Sequence, residues 1–172
     1  MLDLNNTKDT KVKEAVIRRA RESRVPTISI NCRYNDLYYV GIDNYSAMKK
    51  MISHVYEKHN ARSFWFVMGP RDNYENEERS AALIDYVNEH GIEDYHIHYG
   101  DFDYKSGVNA FNEIYSITGK LPDAVICIND NTAVGVISEA ERMGFKVPED
   151  FIVTGFDDLD KSRYFIPRIS TT

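Results

Sequence analysis

From Ser46 onward, short apolar runs alternate with stretches in which apolar side chains return every three or four positions. The first kind reads as buried strand and the second as one face of a helix. Met48, Met51, Ile52 and Val55 form a helical stripe, and the unbroken run from Phe64 to Met68 follows as a strand closed by Gly69-Pro70. Leu83, Ile84 and Val87 predict a second helix that stops at Gly91, followed by a strand from Tyr95 to Tyr99. Val108, Phe111, Ile114 and Tyr115 mark a third helix and Ala124 to Ile128 the next strand. Ala133, Val136, Ile137 and Ala140 mark a fourth helix ending at Gly144, and Phe151 to Thr154 is the last strand of the set. A repeated strand-helix unit predicts the α/β class: a parallel sheet flanked by helices.

The flanks do not complete a second unit. Residues 8–23 predict a charged helix with Val12, Ala15, Val16 and Ala20 on one side, and the runs Thr27 to Ile30 and Tyr38 to Ile42 predict two strands. One helix and two strands cannot bury a self-sufficient core. The expected organisation is therefore a partial N-terminal subdomain over residues 1–44, a complete α/β subdomain over 45–165, and a crossing segment over 166–172, as in an excised fragment.

Composition narrows the function. With 172 residues, 42% apolar and 28% charged, the chain suits one core or two small ones. A net charge of −6 leaves no excess of Lys and Arg for gripping DNA or an anionic membrane. No apolar block reaches signal-peptide or membrane-span length, so a cytoplasmic location is expected. Cys32 and Cys127 lie in or beside apolar runs without metal-type spacing and are expected to be buried free thiols.

In an open parallel sheet, ligands bind beyond the carboxyl ends of the strands. The segments after the four strands carry Glu78-Arg79, then Asp101-Phe102-Asp103, then Asn129-Asp130, then Phe156-Asp157-Asp158. Arg79, Phe102, Asn129 and Asp157 are the candidate ligand contacts. An arginine fork, an aromatic face, an amide and a carboxylate suit a polyhydroxylated or heteroaromatic ligand. Each also has a structural reading: Arg79 as a solvated first-turn residue, Asn129 and Asp157 as helix N-caps, Phe102 as a loop anchor. Their convergence carries the expectation, and on it Arg79→Ala and Asp157→Ala would remove ligand response while leaving the fold intact.

Asp43-Asn44, Gly69-Pro70, Glu78-Arg79, Gly100-Asp101-Phe102, Asn129-Asp130, Val147-Pro148-Glu149-Asp150, Gly155-Phe156-Asp157-Asp158 and Tyr164 with Pro167 to Thr171 follow one another in an order and spacing that resemble the lactose-repressor (LacI/GalR) family. The resemblance runs from about Pro26 to Thr172. It implies a periplasmic-binding-protein-like fold of two α/β subdomains with a small-molecule effector, a sugar, polyol or nucleobase, in the cleft between them. It also implies a homodimer, and DNA binding only through a helix-turn-helix head absent from this chain. Arg79, Asn129 and Asp157 match the family's polar contacts and Phe102 its stacking aromatic, with Asn31 and Asp43 as secondary candidates. Asn31 departs from the acidic residue many members carry there, and Ser46-Ala47 replaces the usual small pair. Similar sensor modules precede other outputs, including GGDEF-type enzymes.

Other functional classes fit the sequence less well. Asp101-Phe102-Asp103 is a D-x-D after a strand, as in Mg²⁺-dependent phosphatases of the haloacid-dehalogenase type, but its strand is half polar and no Gly-Thr follows. His96 and His98 share one strand face, where a two-ligand metal site competes with a plain exposed face and no third ligand is patterned beside them. No nucleophile elbow, Walker loop or dinucleotide fingerprint is present, so neither catalytic residues nor a cofactor are expected. Twelve tyrosines leave a pure interaction module as a further reading.

Overall fold

A computed structural model describes residues 9–23, 25–34 and 37–172; the Met1 to Lys8 segment, including the first residue of the expected N-terminal helix, lies outside the described residues. In chain order the elements are α1 (Thr10–Glu22), β1 (Ile28–Ile30), β2 (Tyr38–Val40), α2 (Asn44–His59), β3 (Phe64–Met68) and α3 (Tyr74–Glu89). They continue with β4 (Tyr95–Tyr99), α4 (Tyr104–Thr118), β5 (Ala124–Cys127), α5 (Asp130–Arg142), β6 (Ile152–Thr154) and α6 (Asp160–Tyr164).

Short polar side chains start the helices. Asp9, Asp43, Asn73, Asp103 and Asn129 each accept a hydrogen bond from a first-turn amide, which supplies a partner to a donor that the helix cannot satisfy itself. Asn60 and Gly119, both left-handed, end α2 and α4.

The main sheet has the order β4-β3-β5-β6, parallel throughout. Alternation along β3 divides the core. Phe64, Phe66 and Met68 face Met48, Ile52 and Leu83 of α2 and α3, while Trp65 and Val67 face Phe111 and Val136 of α4 and α5. Between α4 and α5 the backbones nearly touch: a Cβ on Gly107 would stand 2.1 Å from the Thr132 carbonyl, and one on Gly135 equally close to that of Tyr104.

Several expected boundaries shift. Ile128 and Phe151 fall outside β5 and β6, and β1 and β2 lose a residue or two at their ends. The five-residue α6 has too short a period to be visible in the apolar pattern. The C-terminal segment does more than cross: Ser170 bridges Thr154 in parallel, and its carbonyl accepts from the Gly155 amide at 2.8 Å. Cys127 is buried, whereas Cys32 is only half-buried. The face bearing His98 is not open, since α4 covers it and His98 Nδ1 lies 3.0 Å from the Glu113 carboxylate.

β1 and β2 form a separate two-stranded parallel pair on which Ile28, Ile30, Tyr38 and Val40 are exposed, and α1 contains no buried residue. No helix among the described residues is long and apolar enough to cross a membrane.

Candidate functional site

From β3 the chain places its next strand on one side and the following one on the other, so the sheet has its switch point between β3 and β5. A crevice opens there beyond the carboxyl ends of the strands. Arg79, from the second turn of α3, fills its floor. Its Nε donates to Asn44 Oδ1 at 2.8 Å, one terminal nitrogen donates to the Ile128 carbonyl at 2.9 Å, and the other pairs with the Asp157 carboxylate at 3.1 Å. The guanidinium plane lies 3.8 Å from the ring of Phe156. A rigid donor fork stacked on an aromatic ring suits Arg and not Lys.

Only 3% of Arg79 is exposed. Arg79 thus borders the crevice while three of its N–H groups are engaged by protein acceptors, and the reading of it as a solvated first-turn residue does not hold. Its first role is to hold Asn44, Ile128 and Asp157 together.

Asp157 stands in the loop after β6 with φ of 96°, and Asp158 follows at 46°. Two successive left-handed non-glycine residues need outside support. Asp130 supplies it: fully buried at the start of α5, it accepts from the Leu159 amide at 2.8 Å and from the Ser162 hydroxyl, while its own amide donates to the Phe156 carbonyl at 2.9 Å. A Cβ on Gly155 would meet the other Asp130 oxygen at 2.2 Å, so glycine is required for that approach. Burial raises the Asp157 carboxyl above its ordinary range and lowers Arg79 below its own, and in each case the partner charge pulls the other way.

Asn129 caps α5 through Oδ1, which accepts from the Thr132 amide at 2.9 Å and from its hydroxyl, while Nδ2 donates to the Phe102 carbonyl at 2.9 Å. That bond fixes Phe102 in a left-handed conformation, φ 62°, and brings its ring against Gly69. The expected N-cap role of Asn129 and its place in the crevice thus coexist.

Arg79, Phe102, Asn129 and Asp157 all border one cavity of about 950 Å³. Its opposite wall comes from the N-terminal segment, including Ile17, Ala20, Ser29 and Asn31, while Asn73 and Glu75 add polar groups from the start of α3. Asn31 lines the cavity with φ 59° and its amide bonded to the Val40 carbonyl at 3.0 Å. Asp43 does not line it; its carboxylate caps α2 on the Ser46 amide at 2.9 Å. Asp101 and Asp103 do not make a paired acidic centre either, since Asp103 is engaged by the amide and hydroxyl of Ser106. Among the described residues no group of three or more His, Cys, Asp or Glu could hold a metal ion.

Sequence reasoning missed Asn44, Phe156 and Asp130 as builders of this site. All three lie inside segments that carry the family resemblance, yet their roles depend on contacts across 26 to 77 positions that no local pattern encodes.

A parallel sheet of this order, with a polar crevice at its switch point, defines an α/β protein of the periplasmic-binding-protein kind. The chain belongs to the periplasmic binding protein-like domain family, whose profile matches residues 52–172, and within it to the lactose-repressor group. It is 30% identical over 138 residues to the HTH-type transcriptional repressor CytR of Escherichia coli K12, covering 79% of this chain and 40% of that protein. Among solved structures it is similar to a sugar-binding transcriptional regulator of the LacI family from Escherichia coli complexed with phosphate, with TM-score 0.81, 22% identity, and 94% of this chain and 57% of that one covered. The lac repressor dimer bound to operator and the anti-inducer ONPF matches with TM-score 0.82 and 21% identity over 92% of this chain and 55% of that one. The chain therefore spans less than half the length of the curated relative and a little over half of each of these structures.

Proposed function

We propose that the chain is the effector-sensing part of a LacI-type transcriptional regulator and that its effector, a sugar, polyol or nucleobase, binds in the cavity between the N-terminal segment and the main sheet. The observation that carries this reading is the convergence of Arg79, Phe102, Asn129 and Asp157 on one cavity of about 950 Å³ at the sheet's switch point. Asp157 has one carboxylate oxygen not taken by Arg79 and accepts hydroxyl or ring N–H donors, Asn129 keeps one N–H, and the Phe102 face stacks on a sugar or base. The functional division is residues 1–44 as one wall, 45–165 as the other, and 166–172 as the return segment. Binding biases the arrangement of the walls and so an attached output. The similarity to an HTH-type repressor supports DNA as that output, reached through a separate head, in the cytoplasm; the resemblance to a repressor solved as a dimer supports a homodimer.

The test is thermal unfolding screened against sugars, polyols and nucleobases. At a hundredfold excess over Kd a true effector adds about 2.7 kcal/mol, a rise of roughly 5–10 °C in Tm for a chain of this size. The reading requires one chemical class to give that rise and Asn129→Ala or Asp157→Ala to remove it. A rise that both variants retain places the ligand elsewhere.

A further inference from the structure

The loop that turns Asp157 into the crevice turns Asp158 away from it, toward a second cavity of about 680 Å³. Lys50 and His54 of α2 line this cavity together with Arg163 of α6, Arg168 of the C-terminal segment and Thr171, whose hydroxyl accepts from the Asp158 amide at 3.1 Å. In a chain of net charge −6, three permanent cations and an imidazole around one cavity reverse the local sign. Among the described residues Asp158 is the single carboxylate side chain in the lining, and Arg163 holds it at 2.5 Å. Lys50 and Arg168 act on Asp43 and Asp158 through space, with no direct ion pair among the described residues. Arg163 is thus paired with Asp158 and faces Asp160, while Lys50 and Arg168 are the cations that no direct ion pair engages among the described residues.

We propose that this cavity is a second ligand site that takes a phosphate group, either as free phosphate or as the ester of a small metabolite. A phosphate dianion offers acceptor oxygens on every side and matches the Arg fork, the Lys ammonium and the Thr171 hydroxyl together. The volume accommodates a sugar phosphate as well as the bare ion. The site also sits on the back of the effector loop. Ser162, buried in its lining, bonds Asp130, which holds the Leu159 amide, and a phosphate that draws Arg163 from Asp158 alters the support of the neighbouring Asp157. This coupling rests on the effector reading given above; the phosphate site itself does not.

Isothermal titration of the protein at low ionic strength with inorganic phosphate, glucose 6-phosphate and glucose tests the site. The variants are Lys50→Gln and Arg168→Gln, both exposed and outside the crevice, and Asn129→Ala inside it. The expected result is saturable binding of phosphate, glucose 6-phosphate or both, weakened about tenfold by each cation variant and unchanged in Asn129→Ala. Equal affinities for the two identify the free ion as ligand; tighter binding of the ester identifies the metabolite. Absence of saturation with either, or binding indifferent to Lys50→Gln and Arg168→Gln, overturns the proposal. Binding lost in Asn129→Ala places the phosphate in the crevice and overturns it equally. Glucose controls for binding through the sugar ring alone, and the effector reading is judged by the thermal-unfolding screen with Asn129→Ala and Asp157→Ala, so failure of one reading is distinguished from failure of the other.

Discussion

Arg79 and Asp157 meet at 3.1 Å across the switch point, the arginine side chain 4% exposed and the aspartate 33%. The two partners are thus unequal. Arg79 is enclosed by Asn44, Ile128 and Phe156, whereas Asp157 presents an edge to the crevice.

That inequality predicts different costs on substitution. Arg79→Ala leaves the Asn44 amide oxygen and the Ile128 carbonyl without their donor in a buried place, and about 3 kcal/mol of stability is expected to be lost. Asp157→Ala leaves the guanidinium its bonds to Asn44 and Ile128 but removes its ion pair, and should cost less than that, about 1–2 kcal/mol. Urea unfolding of both variants checks the order; equal losses contradict the geometry.

The raised Asp157 carboxyl has a consequence for pH. An acid whose folded pKa lies above its ordinary value of 3.8 takes up its proton in the folded chain first, so its ionisation opposes folding and the opposition is relieved as pH falls through the raised value. Asp43, Asp103 and Asp158 are held below that value by hydrogen bonds, from Ser46, Ser106 and Arg163 respectively; their contribution is present above 3.8 and lost as pH falls through the depressed values. Between neutral pH and about 4 the native chain should therefore gain stability relative to Asp157→Asn, and lose it relative to Asp103→Asn at lower pH. Denaturant midpoints measured across that range decide the matter, and a pH-independent difference from Asp157→Asn counts against the assignment.

Asn129 carries two separable bonds. Asn129→Asp keeps the acceptor that caps α5 and loses the donor to the Phe102 carbonyl, whereas Asn129→Ala loses both. The alanine variant should lose about 1–2 kcal/mol, and the aspartate variant, which keeps the cap but sets an acceptor oxygen against the Phe102 carbonyl, should lose a comparable amount. Both should weaken effector binding, because the Phe102 turn is freed in each; an Asp variant that binds effector at full strength removes Phe102 positioning from the account.

The α4–α5 crossing is built on absent side chains. Gly107→Ala or Gly135→Ala pushes a methyl group into a backbone carbonyl at 2.1 Å, which cannot swing aside as a side-chain tip can. A loss of about 1–3 kcal/mol is expected for each, read as a fall in Tm. Gly69→Ala makes a contrast: the nearest atoms to its Cβ belong to the edge of the Phe102 ring, at 2.4 Å, so the ring yields and effector affinity should fall more than stability.

The sequence by itself determined the elements of the main sheet and their order, because apolar period is a local property and each strand-helix unit displays it within some thirty residues. It also brought Arg79, Phe102, Asn129 and Asp157 forward together, since residues that follow parallel strands must collect at one sheet edge whatever their neighbours. Only the tertiary structure decided what each does there. Arg79 is a buried tie that also borders the cavity, Asp43 a cap away from it, and Asp130 the clamp on the loop of Asp157. The reason is physical: a hydrogen bond between Arg79 and Asn44, or between Asp130 and Leu159, is fixed by how helices seat on the sheet and by how little water is left around them. Neither quantity is written in the spacing of residues along the chain.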